Sequence, residues 1–164
     1  MSSLNQDLSE YRNQLQRGHI QRAYRAVIDT LNKLRIQFKD HHPEYTFPGS
    51  LYAGYMDMSY FSITNKELKA RELKIAVVFL HEAFRFEVWL AGVNKQVQAQ
   101  TWQMIREKGW TNYPLVTSVQ GADAIIEHIL VVEPDFSDLA ALTAQIESKT
   151  VDFIKEFTTF LTQN

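Results

Sequence analysis

"HEAFRFEVWLAG", residues 81–92, is the stretch that decides the fold. Written as a strand, it sends Phe84, Phe86, Val88 and Leu90 to one side and Arg85, Glu87 and Trp89 to the other. The run before it, "LKIAVVFL" at 73–80, is also rich in strand-forming residues. His81, Glu82 and Ala83 leave room only for a tight connection, so the two runs form an antiparallel hairpin. A two-residue turn at Glu82-Ala83 pairs Phe79 with Phe86, Val78 with Glu87, and Ala76 with Trp89. One face is a core. The other mixes Ala76, Val78 and Leu80 with Arg85, Glu87 and Trp89, so it is expected to be at least partly covered. A carboxylate between Val78 and Trp89 is then partly desolvated, with Arg85 as its counter-charge.

Working outward, Tyr55 to Ile63 alternates well enough to be expected as the strand before this hairpin. Tyr55, Asp57, Ser59 and Phe61 share one face, and Met56, Met58 and Tyr60 the other. Assigning the methionines to the core puts Tyr55 and Asp57 beside Glu87. The candidate binding residues are therefore Tyr55, Asp57, Arg85, Glu87 and Trp89. "TNKELKARELK" between the strands is charged and suits a helical turn.

Upstream, Ser3 and Gln6 read as a capping box ahead of Leu4, Leu8, Tyr11 and Leu15 at helical spacing. Gly18 interrupts, and a second stripe from Ile20 to Phe38 predicts a helix over about residues 19–39. Downstream, Asn94 as N-cap and Gly109 as terminator bound a helix over 94–108. Leu115 to Val119 is expected as a fourth strand. Ile125, Ile126, Ile129 and Leu130 have helical spacing, and a long last helix follows Pro134. The order is ααβββαβαα: an α+β fold with a mostly antiparallel three- to four-stranded sheet packed by helices. It is read as one domain over 1–164, with an N-terminal helical pair (3–39), a sheet region (47–119, helix 94–108 inserted) and C-terminal helices (121–162).

Composition narrows the function classes. Seventeen Lys plus Arg against 19 Asp plus Glu give no general attraction for nucleic acid or anionic lipid, so neither partner is expected. Without cysteine, no disulfide, thiolate nucleophile or Cys-ligated zinc can form, which fits a reducing cytoplasm. "MSSLNQDLSE" has no signal-peptide character, and "IAVVFL" is far too short to span a membrane.

"YAGYMDMSYFS", "LKIAVVFLHEAFRFEVWLAGVNK", "IIEHIL" and "PDFSDLAALTAQIE" together resemble a family of small bacterial proteins, one of the domains of unknown function. The resemblance covers nearly the whole chain and implies a bacterial, stand-alone, single-domain protein. It implies no activity and transfers no functional residues.

The chemistry must therefore come from the residues. No phosphate-loop, nucleophile-elbow or helical histidine-pair motif is present, and no metal or cofactor is expected. The order helix, meander, helix, strand is shared with restriction-endonuclease-like cores. Their Asp…Glu-x-Lys signature fails here, because Glu87 is followed by Val88 and Trp89. The leading expectation is a non-enzymatic cytoplasmic binding or regulatory module for a small molecule or protein. The alternatives are a hydrolase using Asp57 and Glu87, metal-assisted or not, and an interaction protein working through its N-terminal helices. The narrow stripe on those helices would also suit a homodimer.

Overall fold

The computed structural model describes residues 1–163. Its elements are α1 (Leu4–Arg17), α2 (His19–His41), β1 (Met58–Ile63), α3 (Lys66–Ala70), β2 (Leu73–Leu80), β3 (Arg85–Gly92), α4 (Lys95–Lys108), β4 (Ile126–Val132) and α5 (Leu139–Gln163). The fold is α+β. The four strands form one antiparallel sheet in the order β1-β2-β3-β4.

The β2–β3 hairpin has the expected register: Phe79 faces Phe86, Val78 faces Glu87, and Ala76 faces Trp89. Phe79, Phe86, Val88 and Leu90 are buried in the main core with Leu31, Leu34 and Phe38 of α2, Ile105 of α4, and Phe153 and Phe157 of α5. Helices therefore cover one face of the sheet. Phe84 differs from expectation. It has φ +52°, belongs to the turn rather than the strand, and is 43% exposed. A left-handed backbone breaks the alternation, so its ring lies against Phe79 and Phe136 at the rim of the core.

The fourth strand also corrects the expectation. Leu115–Val119 supplies only an isolated bridge, Leu115 to Ile126. The strand is Ile126–Val132, where the spacing predicted a helix. The strand also carries a β-bulge. Phe86 pairs with Val131 and Glu87 with Ile129, leaving Leu130 as the extra residue. Ile126 and Leu130 share a face in a strand as well as in a helix, since i and i+4 satisfy both periods. Ile125 is buried just ahead of the strand, and Ile129 is 42% exposed, which a helical face would not give.

Helix ends follow their caps. Ser3 and Gln6 form the capping box of α1, and Asn94 accepts the Val97 amide at 2.9 Å to start α4. The C-terminus of α2 is tied to α5 through Glu147. Its Oε2 accepts from Gln37 at 2.6 Å, and its Oε1 meets His41 Nδ1 at 2.8 Å and His42 Nε2 at 3.0 Å. The Glu44 carboxylate lies 3.6 Å from His42 on the far side.

Burial pushes the Glu147 carboxyl up. The hydrogen bonds from Gln37, His41 and His42 outweigh that and hold it below the ordinary value of 4.5. A depressed carboxylate stabilises the fold above its unfolded pKa, and that contribution is lost as pH falls from there through the folded value. Glu147→Gln is therefore expected to cost about 1 kcal/mol near pH 7, a melting temperature lower by about 2–4 °C. The difference should shrink below about pH 4, as the native carboxylate also takes a proton. Thermal melts across pH decide this: a deficit that does not change with pH would remove the carboxylate from the account.

Candidate functional site

The strand register lays out the face of the sheet turned away from the core helices as a grid, with the β4 side chains exposed and most of the central ones buried. Across the four strands run Met58, Leu80, Arg85 and Val132, then Tyr60, Val78, Glu87 and Ile129, then Ser62, Ala76, Trp89 and Glu127. Lys74 and Ala91 form the start of the next row. Ala76, Val78, Trp89 and Ala124 make a small buried cluster there, with Met58, Tyr60 and Leu80 against it. Ile129 and Val132 remain exposed.

Arg85, Glu87 and Trp89 come together as the alternation implies. Glu87 is only 2% exposed. Arg85 Nε donates to one carboxylate oxygen at 2.5 Å, and Trp89 Nε1 donates to the other at 2.9 Å. Both oxygens are thus engaged by neighbours two residues away on the same strand. This arrangement fixes three side chains on the face and gives a desolvated charge its hydrogen bonds. At 2% exposure, little of the carboxylate is open to a substrate that a general base would have to reach.

Tyr55 and Asp57 are not brought to this place. β1 starts only at Met58, and the chain before it turns through Gly54 (φ +71°) and Met56 (φ +66°). A Cβ on Gly54 would sit 2.0 Å from the Met58 carbonyl oxygen, so the turn requires glycine. The assignment of the methionines to the core is also reversed within β1 itself. Met58 and Tyr60 occupy the Glu87 face, whereas Phe61 and Ile63 enter the core. Tyr55 is 93% exposed. Asp57 accepts the Tyr55 amide at 2.9 Å, and its main-chain carbonyl accepts the His81 amide at 3.1 Å. Backbone amides of Tyr55, Met58 and Asp57 itself hold the Asp57 carboxyl below its ordinary range. No contact joins Asp57 to Glu87 among the described residues.

Near Asp57 is a pair that the sequence reading missed. Ser59 Oγ lies 2.8 Å from His81 Nε2, with the His81 ring stacked on Tyr24 at 5.7 Å. Register would have found it: Ser59 pairs with Phe79, which places His81 two residues further along. The pair has the wrong polarity for nucleophilic catalysis. The Ser59 hydroxyl donates to the Ala53 carbonyl, which can only accept, so His81 Nε2–H must donate to Ser59. A base would instead have to take the serine proton. Ser59 is also fully buried. Burial lowers the His81 pKa below its ordinary value, with Asp57 opposing, consistent with a neutral donor.

The open face is hollowed. A cavity of about 210 Å³ is lined by Met58, Tyr60, Lys74, Ala76, Trp89 and Asp123, among others. A larger one of about 650 Å³ adjoins it through Lys74, with Phe47, Ser62, Thr64, Lys69 and Glu72 in its wall. At the β4 side, burial raises the Glu127 pKa, Glu87 and Asp123 raise it further, and Arg85 opposes. Sequence reasoning missed Tyr60, Ser62, Lys74 and Glu127. Carrying the alternation of β3 across to β1, β2 and β4 would have placed all four. Among the described residues no group of three or more His, Asp or Glu side chains is placed to hold a metal ion. Among the same residues no helix is long and apolar enough to cross a membrane.

Fold and face together define a class: an α+β protein whose antiparallel meander is helix-covered on one side and hollowed on the other. The sequence pattern described as "Domain of unknown function (DUF7000)" matches residues 4–161, and the chain belongs to that family. No curated protein and no solved structure matches it.

Proposed function

We propose that the protein is a cytoplasmic small-molecule binding or regulatory module that uses the hollowed sheet face. The observation that carries this reading is the pair of adjoining cavities sharing Lys74, of about 650 and 210 Å³. That size suits a small ligand, as does a lining of apolar walls with a few polar groups. Two observations favour binding over catalysis: Glu87 is almost wholly buried, and Ser59 and His81 are paired in the unproductive direction. The absence of cysteine fits a reducing compartment.

A fragment library titrated into ¹⁵N-labelled protein tests the reading. Binders should shift amide resonances of Tyr60, Ser62, Ala76, Trp89 and Ala91 together. Shifts confined to the helix-covered side, or none across the library, would refute it.

A further inference from the structure

We propose that the trough takes an anionic small molecule, its carboxylate or phosphate group seated by Ser62, Lys69 and Lys74 and its apolar body lying along Tyr60 and Trp89. This inference rests on the binding reading above and adds the chemical class of the ligand.

Ser62 carries the most weight. It is only 7% exposed, lines the larger cavity, and makes no side-chain hydrogen bond among the described residues. Its hydroxyl oxygen still reaches solvent, because Thr150 Oγ1 is the one side-chain polar atom both buried and unpartnered among the described residues; it is therefore open to the cavity rather than sealed and unsatisfied. The neighbouring Thr64 hydroxyl differs, because it already donates to the Leu73 carbonyl at 3.2 Å. Ser62 is therefore the hydroxyl with a proton to give to an incoming oxyanion.

Charge points the same way. Lys69 and Lys74 line the cavity, and neither is paired with a carboxylate; the ion pairs among the described residues use His41, His42 and Arg85 as their cations. Glu72 is the one acidic residue in that wall, against two ammonium groups. It sits at φ +56°, a conformation uncommon for a residue with a side chain, and its main-chain carbonyl accepts the Val93 amide at 3.0 Å. The opposite end of the trough is acidic. Asp123 lines the smaller cavity, and Glu127 lies in the Trp89 row. An anionic head is thus drawn to the Ser62 end and repelled from the other. Between the two lie the rings of Tyr60 and Trp89, which offer an apolar surface to the rest of the molecule.

Benzoate, phenyl phosphate and neutral benzamide, titrated under NMR observation into the unaltered protein, Ser62→Ala and Lys74→Met, provide the test. At least one oxyanion should bind about tenfold or more tightly than benzamide, shifting the Ser62 and Lys74 amides. Lys74→Met should bring that oxyanion close to benzamide, and Ser62→Ala should weaken it severalfold while leaving benzamide unchanged. The tighter of benzoate and phenyl phosphate assigns the ligand to carboxylic acids or phosphate esters. If benzamide binds the face as well as both oxyanions, the anion inference falls and the binding reading stands. An oxyanion preference that survives both substitutions overturns this seat. If no probe perturbs the face, both fall.

Discussion

Arg85→Met is expected to destabilise the protein by ~3 kcal/mol, the lower end of the range for removing one partner of a buried pair. The lower end applies because the Arg85 side chain is 37% exposed while that of Glu87 is 2% exposed. Methionine preserves much of the aliphatic bulk over the sheet, so the loss isolates the charge. Glu87 would keep the Trp89 indole as its one donor and remain desolvated. Glu87→Gln should cost less, because an amide still accepts from Trp89 and carries no charge. The double variant should lose less than the sum of the singles, with a coupling of ~0.5–3 kcal/mol. Denaturant melts of the four proteins measure it. Additivity within ~0.3 kcal/mol would mean that the hydrogen bond seen here contributes nothing to folding.

Phe86→Ala is the second large effect, expected at ~3–5 kcal/mol. Phe86 is fully buried between layers, with its ring centroid 4.9 Å from Phe79 and 6.2 Å from Phe136. Loss of the ring leaves a hole beside the β-bulge, where Phe86 pairs with Val131 and the backbone is already irregular. Little can collapse into that space without disturbing the β3–β4 register. The same substitution at Phe84 should cost far less, since that side chain is 43% exposed. Chemical denaturation compares the two. A Phe86→Ala loss under ~1 kcal/mol would contradict the face assignment on which the whole trough depends.

The hairpin was legible because its two strands alternate cleanly and a short turn allows few registers. Helix ends were legible for a related reason: Ser3, Asn94 and Gly109 act within one turn of themselves. What escaped the sequence was longer in range. The run "IIEHILVV" hid a strand because its apolar residues four apart fit both periods, and only its β-branched character argued against a helix there. Asp57 was misplaced because the methionines were assigned to the core; Met58 and Tyr60 lie instead on the Glu87 face, and the chain ahead of them turns through Gly54 and Met56. Of the candidate residues, the three on one strand stayed together and the two across a turn did not. The cavities escaped altogether, since they depend on how four strands and a loop are assembled.

α1 buries none of its residues, and Gly18, at φ +78°, separates it from α2. A helix of this length is marginal in water when nothing is packed on it. Its opening and closing are therefore set by its own short ladder of hydrogen bonds, uncoupled from the melting of the sheet. The three tryptophans, Trp89, Trp102 and Trp110, all lie outside it. Fluorescence will follow the domain alone, whereas far-ultraviolet circular dichroism will also record the fraying of 14 helical residues. Two optical probes of one heated sample will then trace different curves, although the domain beneath them unfolds in a single step.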